Sequence, residues 1–426
     1  AMIDSMKARR AAAIAIVTVF VVVLIGCQEQ APENGALIYE GFGNYERTIS
    51  TVSAGAQQWF NQGMQLMYGF NHDEAIRSFE LAAAADPSNP MPWWGIAYCN
   101  GMNINDPEMT EERSRNAWEA SQEALARADA ASPVEAALVR AVAQRYAWPA
   151  PEDRSELEQK YADAMEVVYE DFPDDPDVAA LFAEALMDLQ PWDYWTDAGE
   201  PKGRTEEFVS VIERALESDP LHPGANHFYI HAIEASSKPD RAIAAADRLT
   251  KIVPGSGHLV HMPSHIYIRV GRYADAAQTN INAIEVDRAY LAKAPTPGMY
   301  AAYYGHNLHF LAFAAMMSGN YEQAIQAARD LEVELPESAV REFAGLIEGC
   351  RMDLVKNRYA DFDELMVYSD LVATTISSMS LAIFGYRDEQ ALERGRDLAT
   401  AFQHTNILRD VGEDTHKDRI YLPQDE

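Results

Sequence analysis

Three cysteines in 426 residues, Cys27, Cys99 and Cys350, are too few for a disulfide framework. Basic residues are scarce beside acidic ones: 34 Lys and Arg against 66 Asp and Glu leave a net charge of -32. A surface that acidic repels phosphate backbones, which argues against a nucleic-acid partner. It fits a solvated acidic face, or attraction for cations and basic partners. The apolar run near the N-terminus, 11–25, is short for a membrane span. With 48% hydrophobic and 10% aromatic residues the chain can still bury a core. Its length suits two or three domains, or one long repeat array.

The apolar run has a signal-peptide layout. Met6 opens a basic stretch with Lys7, Arg9 and Arg10, and the run ends in Leu24-Ile25-Gly26-Cys27. Those four residues resemble a bacterial lipobox. The resemblance implies that Cys27 is lipidated and becomes the mature N-terminus, with more than one acyl chain holding the protein on a membrane. Gln28 after the cysteine favours the outer membrane of a Gram-negative cell. An uncleaved anchor helix is the alternative. Residues 1–27 are thus expected to be a lipoprotein signal peptide and 28–53 a polar tether, on a chain exported to the cell envelope.

Repeats follow. Trp59, Gly63, Ala75, Phe79, Ala82 and Pro87 fall at positions 4, 8, 20, 24, 27 and 32 of a 34-residue unit that begins at Ala56. Small residues stand where two helices cross, bulky ones fill the gap, and proline stops the second helix. That is the tetratricopeptide-repeat (TPR) consensus. A second unit starts near Pro90, with an insertion around Asn103-Ile104-Asn105-Asp106-Pro107. Weaker units cover 133–176 and 178–220, the latter interrupted by Pro191-Trp192-Asp193-Tyr194-Trp195. Clearer units begin at Pro223, Gly257 and Gly305. The expectation is an all-α TPR solenoid over 54–337, a right-handed superhelix of antiparallel pairs. The stretch 57–336 also resembles a group of bacterial exported TPR proteins of unassigned function, through Tyr68-Gly69-Phe70-Asn71-His72-Asp73-Glu74-Ala75, Trp93-Trp94-Gly95-Ile96-Ala97-Tyr98 and His261-Met262-Pro263-Ser264-His265-Ile266-Tyr267.

Seven of the eleven histidines lie between His227 and His309. In the repeat register His227, His261 and His309 occupy position 5, His231 and His265 position 9, and His258 and His306 position 2. Spacings of three and four put these on one face of the first helix of each pair. In TPR arrays that face lines the concave groove. Glu234 continues the stripe. Earlier units carry Phe60, Met64, Trp94 and Tyr98 there, so an aromatic end of the groove is expected opposite an imidazole-rich one. Histidines four apart can chelate a divalent ion such as zinc or copper, with a carboxylate completing or orienting the shell. A ladder of hydrogen-bonded histidines packing one helix on the next, and a groove for a protein or peptide partner, are the alternatives.

After Pro336 the consensus stops. Leu346-Ile347-Glu348-Gly349, Met352-Asp353-Leu354, Arg358-Tyr359 and Ile383-Phe384-Gly385-Tyr386 lead to Ala401-Phe402-Gln403-His404-Thr405-Asn406-Ile407-Leu408-Arg409-Asp410-Val411-Gly412-Glu413-Asp414 and Arg419-Ile420-Tyr421-Leu422-Pro423. From about Ser338 these phrases resemble squalene and phytoene synthases. The resemblance implies that Asp410 and Asp414 belong to the second aspartate-rich motif, which holds magnesium against a substrate diphosphate, with Arg419 and Tyr421 assisting. It covers roughly the middle third of such a domain, and the first aspartate-rich motif is not found. His404, Asp418, Thr374 and Ser377 depart from the family pattern. The segment 338–426 is therefore expected to be a truncated, inactive synthase-like piece. Two functions compete: an exported, lipid-anchored binding or scaffold protein, and a magnesium-dependent prenyltransferase.

Overall fold

The computed structural model describes residues 37–294, 298–334, 345–346, 348–349, 351–352, 355–384, 390–416 and 418–423. Cys27 and the whole expected signal peptide lie outside the described residues, as does the 335–344 stretch where the repeat consensus gives way. Among the described residues there is no strand, only three isolated β-bridges. The chain divides into two compact units, one up to Phe310 and one from Leu311 onward.

Helices of the first unit fall where the repeat register puts them. They pair as α1 (Ala54–Tyr68) with α2 (His72–Ala85), α3 (Pro90–Cys99) with α4 (Glu111–Leu125), and α5 (Pro133–Val142) with α6 (Ser155–Asp171). Then come α7 (Pro176–Met187) with α8 (Thr205–Ser218), and α9 (Pro223–Glu234) with α10 (Ile243–Ile252). The sixth pair opens with α11 (Gly257–His261) and α12 (Pro263–Arg269), which pack on α13 (Tyr273–Leu291). Next is α14 (Ala301–Met317). Pro90, Pro133, Pro176 and Pro223 open the first helix of their pairs, where a missing N–H costs nothing. The interlock is visible at Phe79: a Cβ on Gly63 would come 2.5 Å from its ring and one on Gly95 2.6 Å. Only glycine lets that ring sit between two neighbouring helices.

The array also closes on itself. Tyr68, at the end of the first helix, packs so tightly on Gly224 that a Cβ there would lie 2.4 Å from its ring. The residues expected to form a tether contribute to the closure from 37 onward. Arg47 pairs with Asp175 at 3.0 Å and Asp177 at 2.6 Å, and Ser50 N–H donates to Glu135 at 2.7 Å. Gly255 N–H donates to Gly41 O at 2.7 Å. Asp177 is buried and also accepts from the Tyr45 hydroxyl, the Tyr68 hydroxyl at 2.6 Å and His222 Nε2 at 3.0 Å. Burial alone would raise its carboxyl, but Arg47 and His222 hold it well below the usual carboxylate range.

In the second unit, α15 (Tyr321–Glu334) is followed by α16 (Phe362–Ser369), a π-turn (Asp370–Thr374), α17 (Thr375–Phe384) and the long α18 (Gln390–His416). Among the described residues, one buried cluster there joins Tyr359, Leu365, Tyr368 and Ile407, flanked by Met352, Val372 and Tyr421. Leu398, Phe402 and Leu408 on α18 stay exposed.

Candidate metal centre in the histidine core

Closure of the array turns the expected open groove into an enclosed core. His227, His231, His258 and His261 are 0–2% exposed, while His265 and His306 are half-buried. Phe70, in the turn between α1 and α2, stacks on the rings of His231 and His258 and lies edge-on to His227, with centroids 4.6 Å apart. Tyr303 covers His258 at 4.2 Å, and Phe310 covers His265 at 4.6 Å. Trp192, from the aromatic insertion, meets His231 edge-on at 5.1 Å, and its indole N–H donates to Ile104 O of the other insertion at 2.7 Å.

Hydrogen bonds assign the tautomers. His227 Nδ1–H donates to Tyr68 O at 2.7 Å, His231 Nδ1–H to Glu234 Oε1 at 3.0 Å, and His265 Nδ1–H to Glu234 Oε2 at 2.7 Å. His261 Nδ1–H donates to Asn280 Oδ1 at 2.7 Å, an orientation set by the Asn280 amide donating to Ala276 O. Each of these four rings therefore turns an Nε2 lone pair inward. His261 Nε2 and His265 Nε2 face each other at 2.9 Å. Two lone pairs cannot rest at that distance; a proton or a metal cation must lie between them.

One ring nitrogen each from His261, His265 and His306 lie within 4.8 Å of one another, and the same holds for His227, His231 and His258. Tetrahedral zinc with Zn–N bonds of 2.0–2.1 Å needs its nitrogens about 3.3 Å apart. The His261–His265 contact is already near that separation. Burial favours the neutral, ligating form of five rings: it drives His227, His258 and His261 well below their ordinary value, lowers His231, and takes His306 to about 3. Burial pushes the Glu234 carboxyl up, but His265 and His231 outweigh it and hold it well below the carboxylate range.

The stripe differs from its repeat register at one end. His309 is exposed and outside both groups. Helix α14 starts at Ala301, before the repeat boundary at Gly305, and Tyr303, His306 and Phe310 form the face turned to the histidines. Phe60, Met64, Trp94 and Tyr98 are buried in the helix stack and line no open groove. Phe60 packs on Phe79 at 5.4 Å, and Trp94 stacks on Tyr98 at 5.5 Å. Sequence reasoning missed Phe70, Asn280, Tyr303 and Phe310. A signal for Phe310 existed, since it stands four residues after His306 on an apolar helix.

In the second unit Asp410 and Asp414 lie on α18, Asp410 paired with Arg409 at 2.7 Å. The Arg419 N–H donates to Asp414 O at 2.8 Å, and Tyr421 stacks on Tyr359 and Tyr368. The crevice bordered by Asp414, Arg419 and Tyr421 measures about 20 Å³, room for a water. Asp418 takes the left-handed φ of 56°, the conformation a glycine would hold without strain.

Known proteins resemble the two regions separately. The squalene/phytoene synthase family model matches residues 315–426, reaching back past the point where sequence motifs begin. Chloroplast phytoene synthase of an Oncidium hybrid cultivar is 43% identical over 112 residues, 25% of this chain and 27% of that one. The Narcissus pseudonarcissus enzyme is 47% identical over 93 residues, 20% and 22% of the two chains. Among solved structures, the human IFIT1 dimer with PPP-AAAA overlaps 86% of this chain and 84% of its own, at TM-score 0.31 and 14% identity. Yeast Tom70 overlaps 85% and 98%, at TM-score 0.30 and 12% identity. The chain spans about a quarter of the length of the curated relatives it matches, and the region similar to squalene/phytoene synthases is its C-terminal 112 residues.

Proposed function

We infer that this protein is a helical-repeat binding protein whose histidine core holds a transition-metal ion, with His261, His265 and His306 as ligands. The carrying observation is the pair of inward lone pairs on His261 and His265, 2.9 Å apart. Three imidazoles, with the Asn280 amide behind His261 and the Glu234 carboxylate behind His265, suit zinc or copper. A fully buried His261 beside half-buried His265 and His306 favours retention or transfer of the ion over turnover of a bulky substrate. The basic stretch, apolar run and Cys27 support export and lipid anchoring on the cell envelope. The test is full-length protein made without a histidine tag, stripped with chelator and titrated with Zn2+ and Cu2+. Binding should weaken at least tenfold in His265→Gln. Equal binding by both proteins would leave a shared proton, with an imidazolium facing Glu234, as the account of the contact.

A second reading rests on the family match to residues 315–426. Prenyl transfer would use Asp410 and Asp414 with magnesium. The missing first aspartate-rich motif argues against it, because half a two-metal clamp leaves a departing diphosphate undercompensated. Incubation with geranylgeranyl diphosphate and Mg2+ should give no product. Turnover that disappears in Asp410→Asn would establish the transferase instead.

A further inference from the structure

The ion proposed above occupies one three-histidine group and leaves the other unexplained. In that other group, His227 and His231 carry Nδ1 protons committed to Tyr68 O and Glu234 Oε1, so both Nε2 atoms face inward. His258 Nε2 lies 3.1 Å from His227 Nε2, and this pair can settle as one donor and one acceptor. The remainder cannot. His231 Nε2 and His258 Nδ1 are buried with no hydrogen-bond partner. Buried polar nitrogens left without a partner are costly and rare. Their surroundings are rings: Phe70, Tyr303 and Trp192.

Glu234 ties the two groups together. One carboxylate oxygen accepts from His231 of the first group, the other from His265 of the second, and those two rings stand 5.8 Å apart. A carboxylate behind a histidine ligand fixes its tautomer and raises its basicity. Here a single carboxylate does so for both groups.

We propose that the core is a two-ion centre, with a second borderline divalent ion, zinc or copper in kind, held by His227, His231 and His258, and Glu234 as a positioning residue shared by both ions. This rests on the metal reading of the first group. Three nitrogens per ion leave one tetrahedral position for a small ligand.

Calorimetric titration of the stripped, full-length protein with Zn2+ tests it, with metal content checked by mass spectrometry. Wild type should take two ions, His258→Gln one, and His306→Gln one. Glu234→Gln should weaken both by about ten- to a hundredfold. One ion in wild type, with His258→Gln unchanged, would overturn the second site and leave the first. No ion in wild type would remove both. Should His258→Gln fail to fold by circular dichroism, wild type loaded with Cu2+ decides the matter. Two ions in adjoining groups give a dipole-coupled electron paramagnetic resonance spectrum with a half-field line; an isolated-ion spectrum at full loading contradicts the proposal.

Discussion

The first unit buries polar side chains and the second exposes apolar ones. Among the described residues, six large hydrophobics are exposed up to Phe310 and thirteen from Leu311 onward, although the second unit is much the shorter. Conversely, five histidines (His222, His227, His231, His258 and His261), Asp177 and Arg145 are all but inaccessible in the first unit, and each has at least one hydrogen-bond partner. The lesson concerns layers. Repeats supply each helix with a neighbour of complementary shape, so even costly polar groups can be enclosed and partnered. Among the described residues of the second unit, α16 and α18 meet at a cluster of only four buried hydrophobics, Tyr359, Leu365, Tyr368 and Ile407. An apolar stripe left on a helix is an adhesive surface.

The largest effect should come from cutting the interlock. Phe79→Ala should destabilise the first unit by about 3–5 kcal/mol, whereas Phe402→Ala, at a residue 62% exposed, should stay within about 0.5 kcal/mol. Tryptophan fluorescence during urea unfolding reads the first unit, because all seven tryptophans precede Phe310, and far-ultraviolet circular dichroism reads the helices of both units. Similar losses from both variants would break the contrast.

Removing the anchor of the strap, residues 37–53, which ties the first unit closed through Arg47, comes next. Arg47→Ala leaves buried Asp177 short of its cation and should cost about 3–5 kcal/mol. Proteolysis near residue 47 should then speed up; an unchanged unfolding midpoint and digestion rate would mean that the strap does not hold the array closed.

Acid should act on the first unit more gradually. Burial takes His72 to about 3, helped by nearby Arg113 and Arg145, and His306 to about 3, helped by His265. Below the ordinary histidine value the unfolded chain takes up protons that the folded chain refuses. Stability should therefore fall as pH drops from about 6.5 toward 3. Melting followed by tryptophan fluorescence between pH 7.5 and 4.5 checks the sign. A flat or rising midpoint would show that the rings are charged in the fold.

The smallest effect concerns the exposed stripe. Leu398→Glu with Phe402→Glu should lower binding of a hydrophobic dye while leaving the helical signal intact. Unchanged dye binding would place the adhesive surface elsewhere.

Element positions were legible because helix packing demands small and bulky residues at fixed steps, as Gly63, Phe79 and Gly95 show. The histidine stripe was legible because it recurs at positions 2, 5 and 9. Closure was not, since Tyr68 meeting Gly224 and Arg47 meeting Asp177 join residues more than a hundred positions apart, with no local pattern. That closure is what converts a groove into a core. The exposure of His309 was hidden for a related reason: the register assumed Gly305 as the helix start, and four earlier residues joined the helix instead. For the synthase-like segment, sequence showed the aspartate pair on one helix but not the crevice beside it.

The central claim is that metal, not a shared proton, lies between His261 and His265. X-ray absorption at the zinc edge, on a His258→Gln variant that keeps only the His261, His265 and His306 group, loaded with one Zn2+ per chain, tests it most directly. Three imidazole nitrogens are expected at about 2.0–2.1 Å, with the multiple-scattering pattern of ordered rings, and they should be lost when His261→Gln and His265→Gln are added. A shell of oxygen alone, or a spectrum identical in that triple variant, would contradict it.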